Sequence, residues 1–182
     1  MVYLFLANGF EEVEALTPLD YLRRCEGISV QAVAVGTDRA VTGSHGITVL
    51  ADIVIDEVAL DEMEMIVLPG GMPGTLNLEA SEALQHIIDV CVRRELPIGA
   101  ICAAPSILGH KNLLSGKTAT CYTGFEEQLF GANATGAPVE QDGLFITARG
   151  AGVANQFAFK LVEVLQGSER AQKLRDAVLW EA

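Results

Sequence analysis

The chain has 182 residues, 50% of them hydrophobic, and its 24 acidic and 12 basic residues give a net charge of -12. This length fits one compact domain, which we expect to span residues 1–182. The acidic balance argues against binding to nucleic acid or to an anionic membrane, because both need a basic surface. No apolar run reaches the ~20 residues that a membrane-spanning helix requires. This composition favours a soluble protein that acts on small or neutral ligands.

Elements in the first half alternate between strands and helices. Val2 to Ala7 is a continuous apolar run, typical of a strand buried on both faces, and Asn8-Gly9 ends it. Residues 11–25 then carry the apolar spacing of a helix. The remaining predicted elements here are strands at 29–35, at several short places between 42 and 55, and at 65–68, with a helix at 81–95.

The second half continues the alternation. The predicted elements are a strand at 97–101, a helix at 105–114, a short strand at 117–121, a short helix or loop at 126–130, strands at 139–142 and 144–148, and helices at 153–165 and 169–179. Asp142-Gly143 is the signal of a β-hairpin. Strands that alternate with helices predict an α/β fold with a mostly parallel sheet covered on both faces.

The four cysteines, Cys25, Cys91, Cys102 and Cys121, include no CxxC pair, so neither a zinc ribbon nor a thioredoxin-like site is indicated. The histidines show no metal-ligand spacing. Met1 leads directly into the first predicted strand, without the basic region or cleavage site of a signal peptide. We expect a cytoplasmic protein with reduced thiols and without a metal or other cofactor.

Cys102 lies where a buried strand turns at once into a helix, in the segment from Pro97 to Pro105. Backbone N–H groups at a helix start favour a thiolate, which is the form that attacks carbonyls and peroxides. A buried core cysteine is the alternative interpretation, and it is common.

Three segments with reactive or small residues follow predicted strands: 8–14, 69–74 and the turn at Cys102. Ligands of open α/β sheets bind beyond the carboxyl ends of the strands. Because all three segments lie at such ends, we expect them to converge on one site that contains Cys102.

The acidic and glycine residues of these segments have two interpretations each. In one interpretation, a protonated Glu14 donates a hydrogen bond to Cys102, and this pairing raises the pKa of the carboxyl and lowers the pKa of the thiol. In the other, the carboxylate is a favourable charge at a helix start, which is the interpretation that we prefer for Glu11 and Glu12. The backbone N–H groups of Gly70 and Gly71, with that of Ala103, are candidate oxyanion donors, although a tight turn alone explains the glycines. Arg149 ends a strand, and an ion pair is a more probable role for it than an anion site.

Four motifs together resemble the ThiJ/PfpI (DJ-one) superfamily, in its small DJ-one/ThiJ-like branch. The resemblance runs from Val2 to about Gly167, and its motifs are AICAAP with Cys102, ANGFEEVE with Glu14, LPGGMPG at 68–74 and ITARGAG at 146–152. It implies one class I glutamine amidotransferase-like domain with a flavodoxin-like three-layer sandwich, and a homodimer.

The resemblance also implies roles for individual residues. Cys102 matches the strained nucleophile-elbow cysteine, Glu14 the protonated glutamate beside it, and Gly71 and Ala103 the backbone donors. Where relatives of the protease branch carry a histidine after the cysteine, this chain has Ala103, which argues against proteolysis. Where the DJ-one branch often has a nearby histidine, this chain has Cys121, a candidate redox partner of Cys102.

Three functional hypotheses follow from the residues and the resemblance. In the first, Cys102 attacks small reactive carbonyls or glycated substrates, as a glutathione-independent glyoxalase or deglycase. In the second, Cys102 oxidises to a sulfinate and the protein is a non-enzymatic oxidative-stress sensor or chaperone. In the third, which we rank last, the domain is structural.

Overall fold

The computed structural model describes residues 1–181 and confirms the predicted α/β class. Its strands are β1 (Val2–Leu6), β2 (Val30–Ala34), β3 (Ala40–Thr42), β4 (Thr48–Leu50), β5 (Ile53–Val54), β6 (Met65–Leu68), β7 (Ile98–Ile101), β8 (Thr118–Ala119), β9 (Asn133–Ala134), β10 (Val139–Asp142) and β11 (Phe145–Ala148). Its helices are α1 (Glu12–Arg24), α2 (Gly74–Glu79), α3 (Glu82–Arg93), α4 (Pro105–His110), α5 (Ala154–Gln166) and α6 (Ser168–Ala177).

The central sheet has seven strands in the order β10-β11-β7-β6-β1-β2-β5. All neighbours are parallel except β10, which pairs with β11 as the antiparallel hairpin predicted at Asp142-Gly143. A second small antiparallel pair, β3 with β4, stands apart from this sheet. The chain leaves β1 for β2 on one side and later returns to β6 on the other, so the strand order reverses at β1. Such a switch point is where open α/β sheets bind ligands.

The sheet separates two apolar layers, and the alternation along β1 shows both. Val2, Leu4 and Leu6 pack into one cluster with residues of α1, α5 and α6. Tyr3 and Phe5 point to the other face, where they pack with residues of α3 and α4. Every β1 side chain is therefore buried, which explains the uninterrupted apolar run in the sequence.

Three elements show the main differences from the prediction. No element was predicted at helix α2, because six residues that begin at Gly74 after a proline carry too little periodicity to indicate a helix. Helix α4 ends at His110 instead of Leu114, and Asn112 then adopts a positive φ of 57° that turns the chain away. Strand β8 keeps only two of the five predicted residues.

Within residues 1–181, no helix is both long enough and apolar enough to cross a bilayer.

Candidate active site

The three segments predicted to converge do meet, at the carboxyl ends of the adjacent strands β1, β6 and β7. Cys102 follows β7 directly and has a φ of 64°, in the left-handed region that non-glycine residues rarely adopt. Its amide donates to the Ala148 carbonyl and its carbonyl accepts from the Tyr122 amide, both at 2.8 Å. These two hydrogen bonds hold the strained turn, which presents the sulfur beyond the sheet edge.

The turn after β6 needs glycine because the site is built against its backbone. A Cβ on Gly70 would lie 2.6 Å from the Cys102 Cβ and 2.6 Å from Glu14 Oε2. Gly71 has a φ of 91°, and a Cβ there would lie 2.3 Å from the Glu11 amide nitrogen. Close approach therefore accounts for both glycines, in addition to the tight turn itself.

Glu14 reaches this turn from the first turn of α1 and is 1% exposed. The Gly70 amide donates to its Oε2 at 3.0 Å, and the carboxyl is also hydrogen-bonded to Cys102. Burial raises the pKa of Glu14 to about 7, against the hydrogen bonds from Cys102 and Gly70, which lower it. The upward direction agrees with the prediction, and it makes a neutral carboxyl accessible near pH 7.

The thiol behaves differently from the prediction. Burial, followed by the charge and the hydrogen bond of Glu14, raises the pKa of Cys102 to about 12. The lowering was predicted for a protonated Glu14; beside an ionised Glu14, burial opposes the thiolate first and the carboxylate charge repels it in addition. A proton on Glu14 removes that charge and places an O–H group beside the sulfur. We therefore expect the thiolate only in company with a neutral Glu14, with one proton shared by the two groups.

The backbone donors divide into two sets. The amides of Ala103 and Gly71 face the sulfur of Cys102 and lower its pKa, as expected of oxyanion donors. Gly70, the third residue predicted in this role, uses its amide for the Glu14 carboxyl instead. Gly70 therefore positions Glu14, and it leaves Gly71 and Ala103 as the donors for charge on a substrate.

A pocket of about 320 Å³ opens over the sulfur. Of the predicted site residues, the pocket is lined by Cys102, Glu14, Gly71 and Ala103. Its other walls are Glu11, to which the sequence analysis gave only a helix-start charge, and Met72, Tyr122, Phe125 and Ala151, for which it predicted no role in the site. Tyr122 and Phe125 follow the candidate Cys121, but only the fold shows that the chain passes over the elbow there.

Known proteins are similar to this chain in sequence and in fold. A family model described as DJ-1/PfpI matches residues 1–164. The chain belongs to the DJ-1/PfpI family. Protein dj-1beta of Drosophila melanogaster is 34% identical over 178 residues, which cover 97% of this chain and 95% of that protein. The Pyrococcus furiosus protein named Deglycase PfpI is 32% identical over 170 residues, 91% of this chain and 100% of that protein.

Solved structures of the DJ-1/PfpI family agree. Oxidized DJ-1 of Toxoplasma gondii superposes with a TM-score of 0.93 at 33% identity, covering 100% of this chain and 98% of that chain. The chain spans 40% and 44% of the length of two Arabidopsis thaliana DJ-1 homologues that it also matches.

Cys121, the candidate redox partner in this family member, is not brought into the pocket. It is buried and packs in the cluster on the α3 and α4 side of the sheet. Cys102 packs against the opposite cluster. The backbones are nevertheless neighbours, since Tyr122 donates to the Cys102 carbonyl. A disulfide between the two cysteines would require the Cys121 side chain to leave its layer.

Glu12 has a structural role near the site. It accepts from the His45 amide at 2.8 Å and contacts His45 Nδ1 at 2.9 Å. Burial opposes its ionisation, but the hydrogen bonds of His45 prevail and lower the pKa of Glu12 to about 2. Together with Glu11, these groups place three ligand atoms within 4.8 Å of one another. The sequence spacing did not indicate this cluster, because its members lie on separate elements.

Arg149 corrects another expectation. The predicted ion pair does not form, since no carboxylate of residues 1–181 lies within 4.0 Å of its guanidinium. One Nη1 donates to the Gly136 carbonyl at 3.3 Å, and the side chain is otherwise exposed.

Proposed function

We propose that this protein is a cysteine-dependent enzyme that acts on small reactive carbonyls without glutathione, as a glyoxalase or a deglycase. One observation carries the proposal: the Cys102 sulfur, the buried Glu14 carboxyl and the Gly71 and Ala103 amides meet in one open pocket. The name of the Pyrococcus furiosus relative supports the deglycase form of the same chemistry.

For methylglyoxal, the reaction begins when the Cys102 sulfur attacks the aldehyde carbon. A C–S bond forms, and the carbonyl electron pair moves to the oxygen, where the Gly71 and Ala103 amides stabilise the charge. The proton on Glu14 neutralises that oxygen and gives a hemithioacetal.

The Glu14 carboxylate then removes the proton from the carbon that carries the sulfur. The ketone becomes an enediol as its oxygen takes up the proton of the hemithioacetal hydroxyl. Glu14 returns its proton to the former ketone carbon while the thioester carbonyl forms, which gives a thioester of lactate. Water hydrolyses the thioester to lactate and the free thiol. The sum is methylglyoxal plus water to lactate, so no external oxidant or reductant is needed.

Lactate production from methylglyoxal without glutathione tests this proposal. We expect turnover in the wild type and background rates in Cys102→Ala, because no other cysteine lines the pocket. Cys25→Ala is the matched control, since it removes a buried cysteine at the end of α1. Turnover that survives in Cys102→Ala would refute the proposal.

A second candidate function is an oxidative-stress sensor, and the exposure of the cysteines favours it. Cys25, Cys91 and Cys121 are buried, whereas Cys102 is partly exposed. Mild peroxide should therefore oxidise Cys102 first, to a sulfenic acid and then a sulfinate beside Glu14. Peptide mapping measures the order and also detects a Cys102–Cys121 disulfide. Equal oxidation of all four cysteines would exclude this function.

A homodimer is part of the proposal. Three large apolar side chains, Val13, Ile47 and Leu50, are 48%, 54% and 72% exposed. The His45 and Ile47 amides donate to Glu12, so the hairpin that carries Ile47 and Leu50 is held against the helix that carries Val13, and we propose these residues for the interface.

A further inference from the structure

A second cavity of about 450 Å³ adjoins the pocket of Cys102. The two share Tyr122 and Ala151 in their walls. The cavity is also lined by the segment from Arg149 to Val153, which continues directly from β11. The Cys102 amide donates to the Ala148 carbonyl, and Arg149 is the residue that directly follows Ala148.

The guanidinium of Arg149 has unused hydrogen-bonding capacity. It offers five N–H donors, and the structure assigns one of them a partner, the Gly136 carbonyl at 3.3 Å. Arg23 and Arg24, by contrast, are engaged by Asp52 and Asp20 at 2.5 and 2.8 Å. What distinguishes Arg149 from the other arginines of residues 1–181 that lack a carboxylate partner, such as Arg93, is its place in the wall of this cavity.

The chemistry of such a cation is selective. A planar guanidinium binds a carboxylate through two parallel hydrogen bonds. Glu11, and the one negative charge that the Glu14–Cys102 pair carries in its reactive form, would by themselves repel an anionic substrate. Arg149 is the basic side chain among the cavity's lining residues, and its charge would offset that repulsion for a substrate that extends from Cys102 into this cavity.

We propose that Arg149 is a specificity residue that binds the carboxylate of an acidic α-oxoaldehyde while its aldehyde carbon reacts with Cys102. The substrate class is a short chain with vicinal carbonyls at one end and a carboxylate at the other. This inference rests on the proposed carbonyl chemistry and names its preferred substrate.

Alkylation of Cys102 by a matched pair of reagents tests the assignment without requiring turnover. The reagents are 5-bromo-4-oxopentanoate and its methyl ester, which differ in one negative charge. In each reaction the sulfur displaces bromide, a C–S bond forms and the thiol proton leaves to solvent. Mass spectrometry gives the rate at Cys102, and the rates with free glutathione correct for the reagents' intrinsic reactivity.

We expect the wild type to react about threefold or more faster with the acid than with the ester at low salt. The preference should shrink as salt screens the charges. In Arg149→Gln the ester should react faster, because the charges of Glu11 and of the Glu14–Cys102 pair then act unopposed. Arg93→Gln removes the same charge from an exposed position at the end of α3 and should keep the wild-type preference.

Equal corrected rates in the wild type, or a preference that survives in Arg149→Gln, would overturn the assignment. So would a loss of the preference in Arg93→Gln, since net charge would then explain it. Absence of lactate from methylglyoxal refutes the carbonyl enzyme, whereas loss of the acid preference alone refutes only the role of Arg149.

Discussion

The close contacts around Cys102 explain why residue 70 must be a glycine. Gly70 approaches both Cys102 and Glu14, so a methyl group there would push the catalytic pair apart. The same backbone supplies the hydrogen bond that positions Glu14. Reactivity at this site therefore depends on the turn after β6 as much as on the two side chains.

We predict that Gly70→Ala destabilises the protein by about 1–3 kcal/mol, because overpacking forces the backbone to shift. Alkylation of Cys102 should change in the same variant. Gly36→Ala is the matched control, since a Cβ there meets no atom within 4 Å. Denaturant unfolding measures the stability of both variants. Equal stabilities of the two variants would contradict the packing argument.

Glu12 and the β3–β4 hairpin form a separate unit beside the site. The hairpin is not part of the central sheet, and its loop is held by the Glu12 carboxylate through His45 and Ile47. The ionised form of Glu12 is the one that accepts these hydrogen bonds. The hairpin should therefore depend on pH in a way that the main sheet does not.

The sign of this dependence follows from the lowered pKa. Stability from Glu12 is present above the ordinary carboxyl pKa of about 4.5 and is lost as pH falls through about 2. We predict that Glu12→Gln costs about 1–3 kcal/mol at pH 7, and that the loss is smaller at pH 3. Glu26→Gln, at a side chain that is 97% exposed, should change little. Thermal unfolding at pH 7 and pH 3 measures this difference. An equal loss of stability in Glu12→Gln at both pH values would contradict the role of the Glu12 carboxylate.

The elements were predictable where local sequence determines them. The hairpin of β10 and β11 follows from Asp142-Gly143 between apolar residues, and β1 follows from an apolar run. Helix α2 was missed because it is short and starts at Gly74. The convergence on Cys102 was predictable from the rule that ligands bind beyond the carboxyl ends of parallel strands.

Contacts made by distant residues were not predictable in the same way. Cys121 follows β8, but the sheet face toward which its side chain points depends on packing with α3 and α4. The assignment of the Gly70 amide to Glu14, and the absence of an ion pair at Arg149, depend on positions that only the folded chain defines.

At the scale of the molecule, the exposed apolar residues of α1 and the hairpin predict self-association. The wild type should have the mass of a dimer in light scattering. Ile47→Glu should shift it to the monomer, because a charge replaces a 54% exposed apolar side chain in the proposed interface. Leu76→Glu is a control at similar exposure, 53%, on α2. A monomeric wild type would exclude the dimer.

The central claim is that Glu14 and Cys102 share one proton, and the pH dependence of Cys102 alkylation by iodoacetamide tests it most directly. Below the raised pKa of Glu14, about 7, the carboxyl and the thiol both carry their protons. As pH rises through this value the pair loses one proton, and the form with a Cys102 thiolate and a neutral Glu14 becomes populated. We predict a rate that rises through about pH 7 in the wild type, and a rise displaced to higher pH in Glu14→Gln. The same profile in both proteins would contradict the shared proton.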